Sequence, residues 1–416
     1  MSAVMSRPLR APRRLAIAIF AVFAFAYFFS ALLRAVTATL APAFSAELGL
    51  SAADLGLLAG AYFLGFALMQ LPLGRALDRY GPRHVLMAFL SLAVMACAAF
   101  ALARGFATLL VARALIGVGV SACLMAPLTA YRHRFGAPAQ LRANSWMLMT
   151  GSLGMLASTV PVQWLLPVVG WRGLFWAIAV LLALSILLIG MAVPRDEPLA
   201  SVDRSAVLGY RQIFRHPYFV RLAPLAFAVY GGLVAVQSLW AGPWLTEVGG
   251  RSAAEAARGL FAINFSMLLA FLGWGTAMPY LTQRGWQVDR LIAFGVPVAL
   301  ILLFGIVWLG PQAGPAWWAT WCVACSFLSL SQPAVAMAFP PAAAGRALSA
   351  FNLVIFAGVF CVQWGIGLAI DALLALGWPR VSAFRAAFAS FALACTIAYG
   401  WFFWRGRTAA ENSSVG

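Results

Sequence analysis

The stretch LPLGRALDRYGPRHVL (71–86) sets Arg75, Asp78, Arg79, Arg83 and His84 between two long apolar runs. The chain of 416 residues around it is 64% hydrophobic and only 9% charged, with a mean hydropathy of +0.92. A soluble protein averages about 45–50% apolar and about 25% charged residues. This chain lacks the polar residues to cover a water-facing surface, so lipid must be its solvent. Apolar stretches of about 20 residues, the length that crosses a hydrocarbon core, recur along it. They are continuous rather than alternating, so they read as helices and not as barrel strands.

Working outward from 71–86, the pattern predicts an all-α polytopic membrane protein of about twelve spans. The first half gives 15–40, 52–73, 85–103, 106–130, 145–168 and 172–193. The second gives 221–245, 256–280, 288–309, 316–339, 348–372 and 384–404. Two six-helix units, 1–193 and 221–404, then flank a polar linker at 194–220, and 405–416 forms a short tail. The N-terminal RPLRAPRRLAIAIFAVFAFAYFF (7–29) has the basic start of a signal peptide, but its apolar run is too long for one, so it is read as a retained first helix.

A net charge of +17 would suggest nucleic acid in a soluble protein. Here the placement of the charge indicates topology instead, and no nucleic-acid partner is expected. All 28 basic residues are Arg; 20 fall on one side of the spans. Six (Arg104, Arg172, Arg251, Arg258, Arg380 and Arg385) fall on the other, leaving Arg34 and Arg113 inside spans. The positive-inside rule makes the Arg-rich side cytoplasmic, with both termini there, in a bacterial inner membrane. The opening stretch is thus the cytoplasmic turn between the second and third spans.

The chain also repeats itself. RANS (142–145) opens the fifth span and RALS (346–349) the eleventh, an offset of 204 (346 − 142) that Gly81 and Gly285, Gly154 and Gly358, and Leu77 and Leu281 keep. GWRGLF (170–175) and GWPRVSAF (377–384) precede the sixth and twelfth spans. Two pseudo-symmetric halves with a binding site between them are a transporter signature.

Gly74, Asp78, Arg79, Gly81 and Arg83 resemble the loop motif of the major facilitator superfamily, G-x-x-x-D-R-x-G-R-R, in its place between the second and third spans. Arg113 in LLVARALIGVGV (109–120) is similar to the family's fourth-span motif. GSLGMLASTVP (151–161) is only loosely like the fifth-span glycine motif, and MPYLTQRGWQV (278–288) has Thr282 where a second loop Asp is expected. The resemblance implies alternating access. It also implies that Asp78 faces the start of the eleventh helix near Arg346–Ser349, and that Arg113 organises neighbouring helices.

Polar groups inside spans are costly and therefore candidate contacts. Tyr27, Ser30, Arg34 and Thr37 share a face of the first span. Tyr230 and Gln237, with Trp240 nearby, do so in the seventh, and Asn352 and Gln363 in the eleventh. Tyr62, Gln70, Gln163, Asn264, Ser329 and Gln332 are further candidates, each equally well explained as interhelical hydrogen bonding. From these, Arg34, Tyr27, Ser30, Tyr62, Gln237, Trp240, Gln332 and Asn352 form the expected substrate site. Arg34 lies eight residues before Pro42. That is similar to the anion-binding Arg of the superfamily's organophosphate antiporters, whose seventh span carries a second Arg. The repeat puts Ser238 there instead.

No carboxylate falls mid-span: Glu47, Asp54, Glu247 and Asp371 sit at span ends. His84, His133 and His216 are all on the Arg-rich side, and no phosphate-binding loop appears. Cys322 and Cys325 form C-x-x-C within a span, without a second pair or a His, so they read as small hydrophobes. No cofactor or metal is expected. The leading reading is a monomeric secondary transporter of a small organic anion, with a coupling ion or counter-substrate and lipid as its other partners. A drug or siderophore exporter is the alternative, a transport-like sensor a further one, and an enzyme is not expected.

Overall fold

The computed structural model describes residues 12–195 and 209–414, the last turns (407–414) as backbone. Among them ten helices are long and apolar enough to cross a membrane. The longest, Ala52–Leu102, has 51 residues. At 1.5 Å per residue that is about 75 Å, far more than one bilayer of about 30 Å. It is two spans meeting at Gly81, whose φ of 76° and ψ of 156° break the helix. A side chain at that φ would be strained, which gives the glycine of the opening stretch its physical role.

Counted from the first helix, Arg13–Leu48, span 2 is 52–80 and span 3 is 82–102. Span 4 is Phe106–Arg132. Span 5 is Ala137–Ala157 continued by 160–169, and span 6 follows the break at Gly170. Spans 7 to 12 are Pro217–Val248, Ala253–Gln283, Val288–Leu309, Pro315–Met337, Pro341–Ala375 and Arg380–Ser414. Several helices outrun their expected limits. Span 1 continues past Pro42 to a C-cap at Gly49, and span 7 begins within the expected linker, after a short helix at Tyr210–Arg215. Residues 196–208 of that linker lie outside the described residues. The expected tail is helical to Ser414, since nothing in RGRTAAENSS stops a helix.

The two halves share details beyond the sequence repeat. Gly49, Gly81 and Gly170 have positive φ, and so do Gly250, Gly285 and Gly377 at matching turns. Ser51 and Asp54 cap the start of span 2, and Ser252 with Glu255 caps span 8. Glu47 at the end of span 1 pairs with Arg172 at the start of span 6. Glu247 at the end of span 7 pairs with Arg380 at the start of span 12, at 2.7 Å.

Tight backbone packing holds span 2 against span 4. A Cβ at Gly117 would overlap the Tyr62 carbonyl. Tyr62 and Arg113, both fully buried, lie on the same interface. Overpacking of a filled core costs about 1–3 kcal/mol. Gly117→Ala is therefore expected to lower the thermal midpoint of purified protein, whereas Gly74→Ala, at a position with open space, leaves it unchanged.

Candidate functional site

The centre of the bundle gathers Arg34, Tyr27, Ser30 and Tyr62 from spans 1 and 2. Arg34 is partly exposed although its neighbours along span 1 are buried. Its guanidinium lies within electrostatic reach of the Tyr62, Tyr27 and Tyr230 hydroxyls and sits 5.6 Å from the Phe66 ring centroid. Its Nε is buried without a hydrogen-bond partner. No described carboxylate pairs with it. The Tyr62 hydroxyl donates to the Ser30 carbonyl at 3.2 Å, and the Ser30 hydroxyl donates to Val120 of span 4 at 3.4 Å. Ser30 is thus a scaffold residue that holds Tyr62 beside Arg34.

Arg113 has a different environment. It is 1% exposed, and its Nη2 donates to the Leu33 carbonyl at 2.9 Å and to Thr37 Oγ1 at 2.6 Å. Its guanidinium also covers the Tyr62 ring at 4.9 Å. From span 4, this one side chain touches spans 1 and 2.

The second half supplies neutral groups. Gln332 Nε2 donates to Asn352 Oδ1 at 2.8 Å, and both side chains are partly exposed. Asn352 and Phe356 share a face of span 11. Phe356 packs against Phe66 at 4.6 Å, so this amide pair lies about one helical turn from the ring beneath Arg34.

Two expected contacts are engaged between helices. Trp240 is fully buried, and its Nε1 donates to the Gln363 carbonyl at 3.1 Å. Gln237 is buried and donates to Asn264 at 2.9 Å. Burial of these polar groups demands interhelical partners, and they have them. Ser238, the repeat mate of Arg34, is likewise taken up by Gln363 and by the Val234 carbonyl. Phe66 and Phe356 join the site without having been singled out for it. Tyr230, a candidate on the seventh span that was left out of the expected site, stands 203 residues after Tyr27 (230 − 27), nearly the repeat offset.

At the Arg-poor end the halves are sealed. The Ala52 and Ala53 amides at the start of span 2 donate to the Asp371 carboxylate at 3.1 and 2.8 Å. Gly56 lets the Gln363 carbonyl approach the same helix, and Gly242 of span 7 packs on Ala38 of span 1. At the opposite end Asp78 is exposed and, among the described residues, makes no hydrogen bond or ion pair. In this conformation it does not engage the start of span 11 as expected, because the halves are joined at the other end. Arg75 and Arg79 are exposed as well, with Arg79 over the Tyr80 ring, while Arg83 donates to the Gly190 carbonyl at 2.6 Å, tying the turn to span 6.

A carboxylate on a helix N-terminus is worth about 0.3–1 kcal/mol, up to about 2 when partly buried. Asp371→Asn is expected to shift the population several-fold toward states open at the Arg-poor end. Asp78→Asn, which touches nothing in the sealed state, is expected to leave that seal intact or favour it. Spin-label distances across each end measure both shifts.

A family profile for the Major Facilitator Superfamily matches residues 23–361. The chain is 27% identical over 262 residues to the probable L-galactonate transporter of Escherichia coli (strain K12), covering 62% of this chain and 52% of that protein. It is 28% identical over 221 residues to the multidrug resistance protein MdtM of Salmonella typhimurium (strain LT2), covering 48% and 52%. The chain thus spans about half the length of these curated relatives. Its fold superposes on a bacterial homologue of the human lysosomal transporter Spinster with a TM-score of 0.74 at 19% identity, covering 96% of this chain and 98% of the other. A D-xylose–proton symporter gives a TM-score of 0.73 at 16% identity, covering 93% and 97%. The matched profile, the repeated six-helix halves and the loop at 74–83 together make this chain a member of the Major Facilitator Superfamily.

Proposed function

We propose that this protein is a secondary active transporter of a small organic anion, working by alternating access between its two halves. The observation that carries the reading is Arg34, a cation at the centre of an apolar bundle with no described carboxylate beside it. A central Arg costs about 2.5–3.5 kcal/mol on insertion scales, and a bound anion offsets that cost. Three tyrosine hydroxyls around it and the Gln332–Asn352 pair nearby supply hydrogen bonds for a hydroxylated carboxylate. The similarity to a galactonate transporter agrees with this, since galactonate is a polyhydroxylated carboxylate. One Arg rather than two suits a monoanion, held through the two-pronged guanidinium.

The similarity to MdtM supports drug export as the second reading. A cationic drug, however, would meet Arg34 with no described carboxylate to bind it.

The Arg-rich ends face the cytoplasm in this proposal, so the sealed end faces the periplasm. The substrate then enters or leaves through the cytoplasmic end in the conformation described here. Opening the other end requires release of Asp371 from span 2 and engagement of Asp78 at the start of span 11.

Galactonate and a panel of small carboxylates are expected to raise the melting temperature of the purified protein. Arg34→Gln loses charge-assisted hydrogen bonds worth about 1.5–3 kcal/mol each, so affinity falls roughly 10- to 100-fold. Arg34→Lys keeps the charge but not the fork, and is also expected to bind weakly. Stabilisation by quaternary ammonium drugs and by no carboxylate would move the assignment to drug export. Equal stabilisation of Arg34→Gln and wild type would make Arg34 structural.

Topology is tested separately. A cysteine at position 201, outside the described residues, is expected to react with a membrane-impermeant maleimide only after the cytoplasmic face is exposed. Labelling of intact cells would invert the orientation.

A further inference from the structure

On the outer face of the second half, spans 7, 11 and 12 enclose an open groove of about 720 Å³. Phe219, Ala223 and Phe227 form one wall, Ala394 and Trp401 the other, and Val354 the floor. All its lining side chains are apolar or aromatic, and Ala394 and Ile397 are exposed. The groove follows span 7 from Phe219 to Ala228, nine residues or about 14 Å of helix. That is close to half of a hydrocarbon core of about 30 Å, the depth of one leaflet.

Its mouth lies at the Arg-rich end and is flanked by cations on both sides. The short helix Tyr210–Arg215 sends Phe214 into the groove, while Arg211 and Arg215, one turn apart, are exposed beside it. Across the mouth, Arg405 lies over the Trp401 and Trp404 rings, at 4.8 and 5.7 Å. Trp401 itself donates to the Val220 carbonyl at 3.1 Å, which joins the two walls near the Arg-rich end. The carboxylate bonded to this end of span 7, Asp289, is already held by Arg221 and Tyr218, each at 2.7 Å. Among the described residues, the flanking charge is therefore positive.

We propose that this groove is a binding site for an anionic phospholipid of the leaflet at the Arg-rich end. One acyl chain lies along spans 7 and 12, and the headgroup phosphate sits between Arg211, Arg215 and Arg405. An apolar trough alone accepts any lipid; the arginine rim selects the anionic one. Juxtamembrane Arg side chains are attracted to an anionic lipid surface. The site lies outside the Arg34 cluster and does not depend on what the protein transports.

The test uses the full-length chain in detergent, equilibrated with equal amounts of phosphatidylglycerol and phosphatidylcholine of identical acyl chains. Retained lipid is counted by native mass spectrometry. Wild type is expected to retain phosphatidylglycerol several-fold over phosphatidylcholine. The double variant Arg211→Ser, Arg215→Ser is expected to lose that preference, whereas Arg132→Ser, Arg142→Ser, exposed on spans 4 and 5 of the first half, keeps it. Ala394→Trp, a substitution at an exposed wall position, is expected to fill the trough and lower retention of both lipids. Equal retention of the two lipids by wild type overturns the proposal. So does an unchanged preference in the Arg211/Arg215 variant, or full retention in Ala394→Trp.

Discussion

Two guanidinium groups inside an apolar bundle, with no described carboxylate to neutralise either, constrain the rest of this structure. Arg113 is satisfied locally: it bonds the Leu33 carbonyl and Thr37 and covers the Tyr62 ring. Its charge thereby fixes the relative positions of spans 1, 2 and 4. Arg34, a few residues along span 1 from those partners, borders the same tyrosine but keeps a buried Nε without a partner. One cation builds the wall, and the other faces the space the wall encloses. Removing the first should disorganise the site of the second, because the Tyr62 ring packs under it.

The halves are alike in scaffold and unlike in chemistry. Turns, caps and end-of-span ion pairs recur at matching places. At the site the symmetry ends: where span 1 has Arg34, span 7 has Ser238, turned into a hydrogen bond with Gln363. The second half contributes amides and aromatic rings instead of charge. Among the described residues the charge lies on the side of spans 1 and 2, so the space between the halves is electrostatically asymmetric.

Most of the fold was legible because lipid leaves a backbone few choices. Length, hydropathy and Arg placement located the spans, and the repeat at 204 residues located the halves. Helix ends were less legible: Pro42 did not end span 1, and residues 217–220 read as polar linker although they begin span 7. Within the site, the sequence marked Arg34, Tyr27 and Tyr62 by their polarity. It could not separate Gln237 and Trp240 from them, because a buried amide bonding another helix and an amide facing a cavity have the same one-dimensional signature. Phe66 and Phe356 were hidden among 31 phenylalanines. Asp371 looked like a span-end charge, and only the packing of span 11 on span 2 brings it to two backbone amides.

The three described ion pairs, Glu47–Arg172, Arg221–Asp289 and Glu247–Arg380, each join residues of the same half. They act as staples within a rigid body, so a rocking motion between halves stretches none of them. What such a motion breaks is short-range: apolar contacts, and the two amide hydrogen bonds that hold one carboxylate against a helix end. Salt therefore reaches the balance between positions through that one charge at a helix end, which is screened, and reaches the rigidity of each half through its staples.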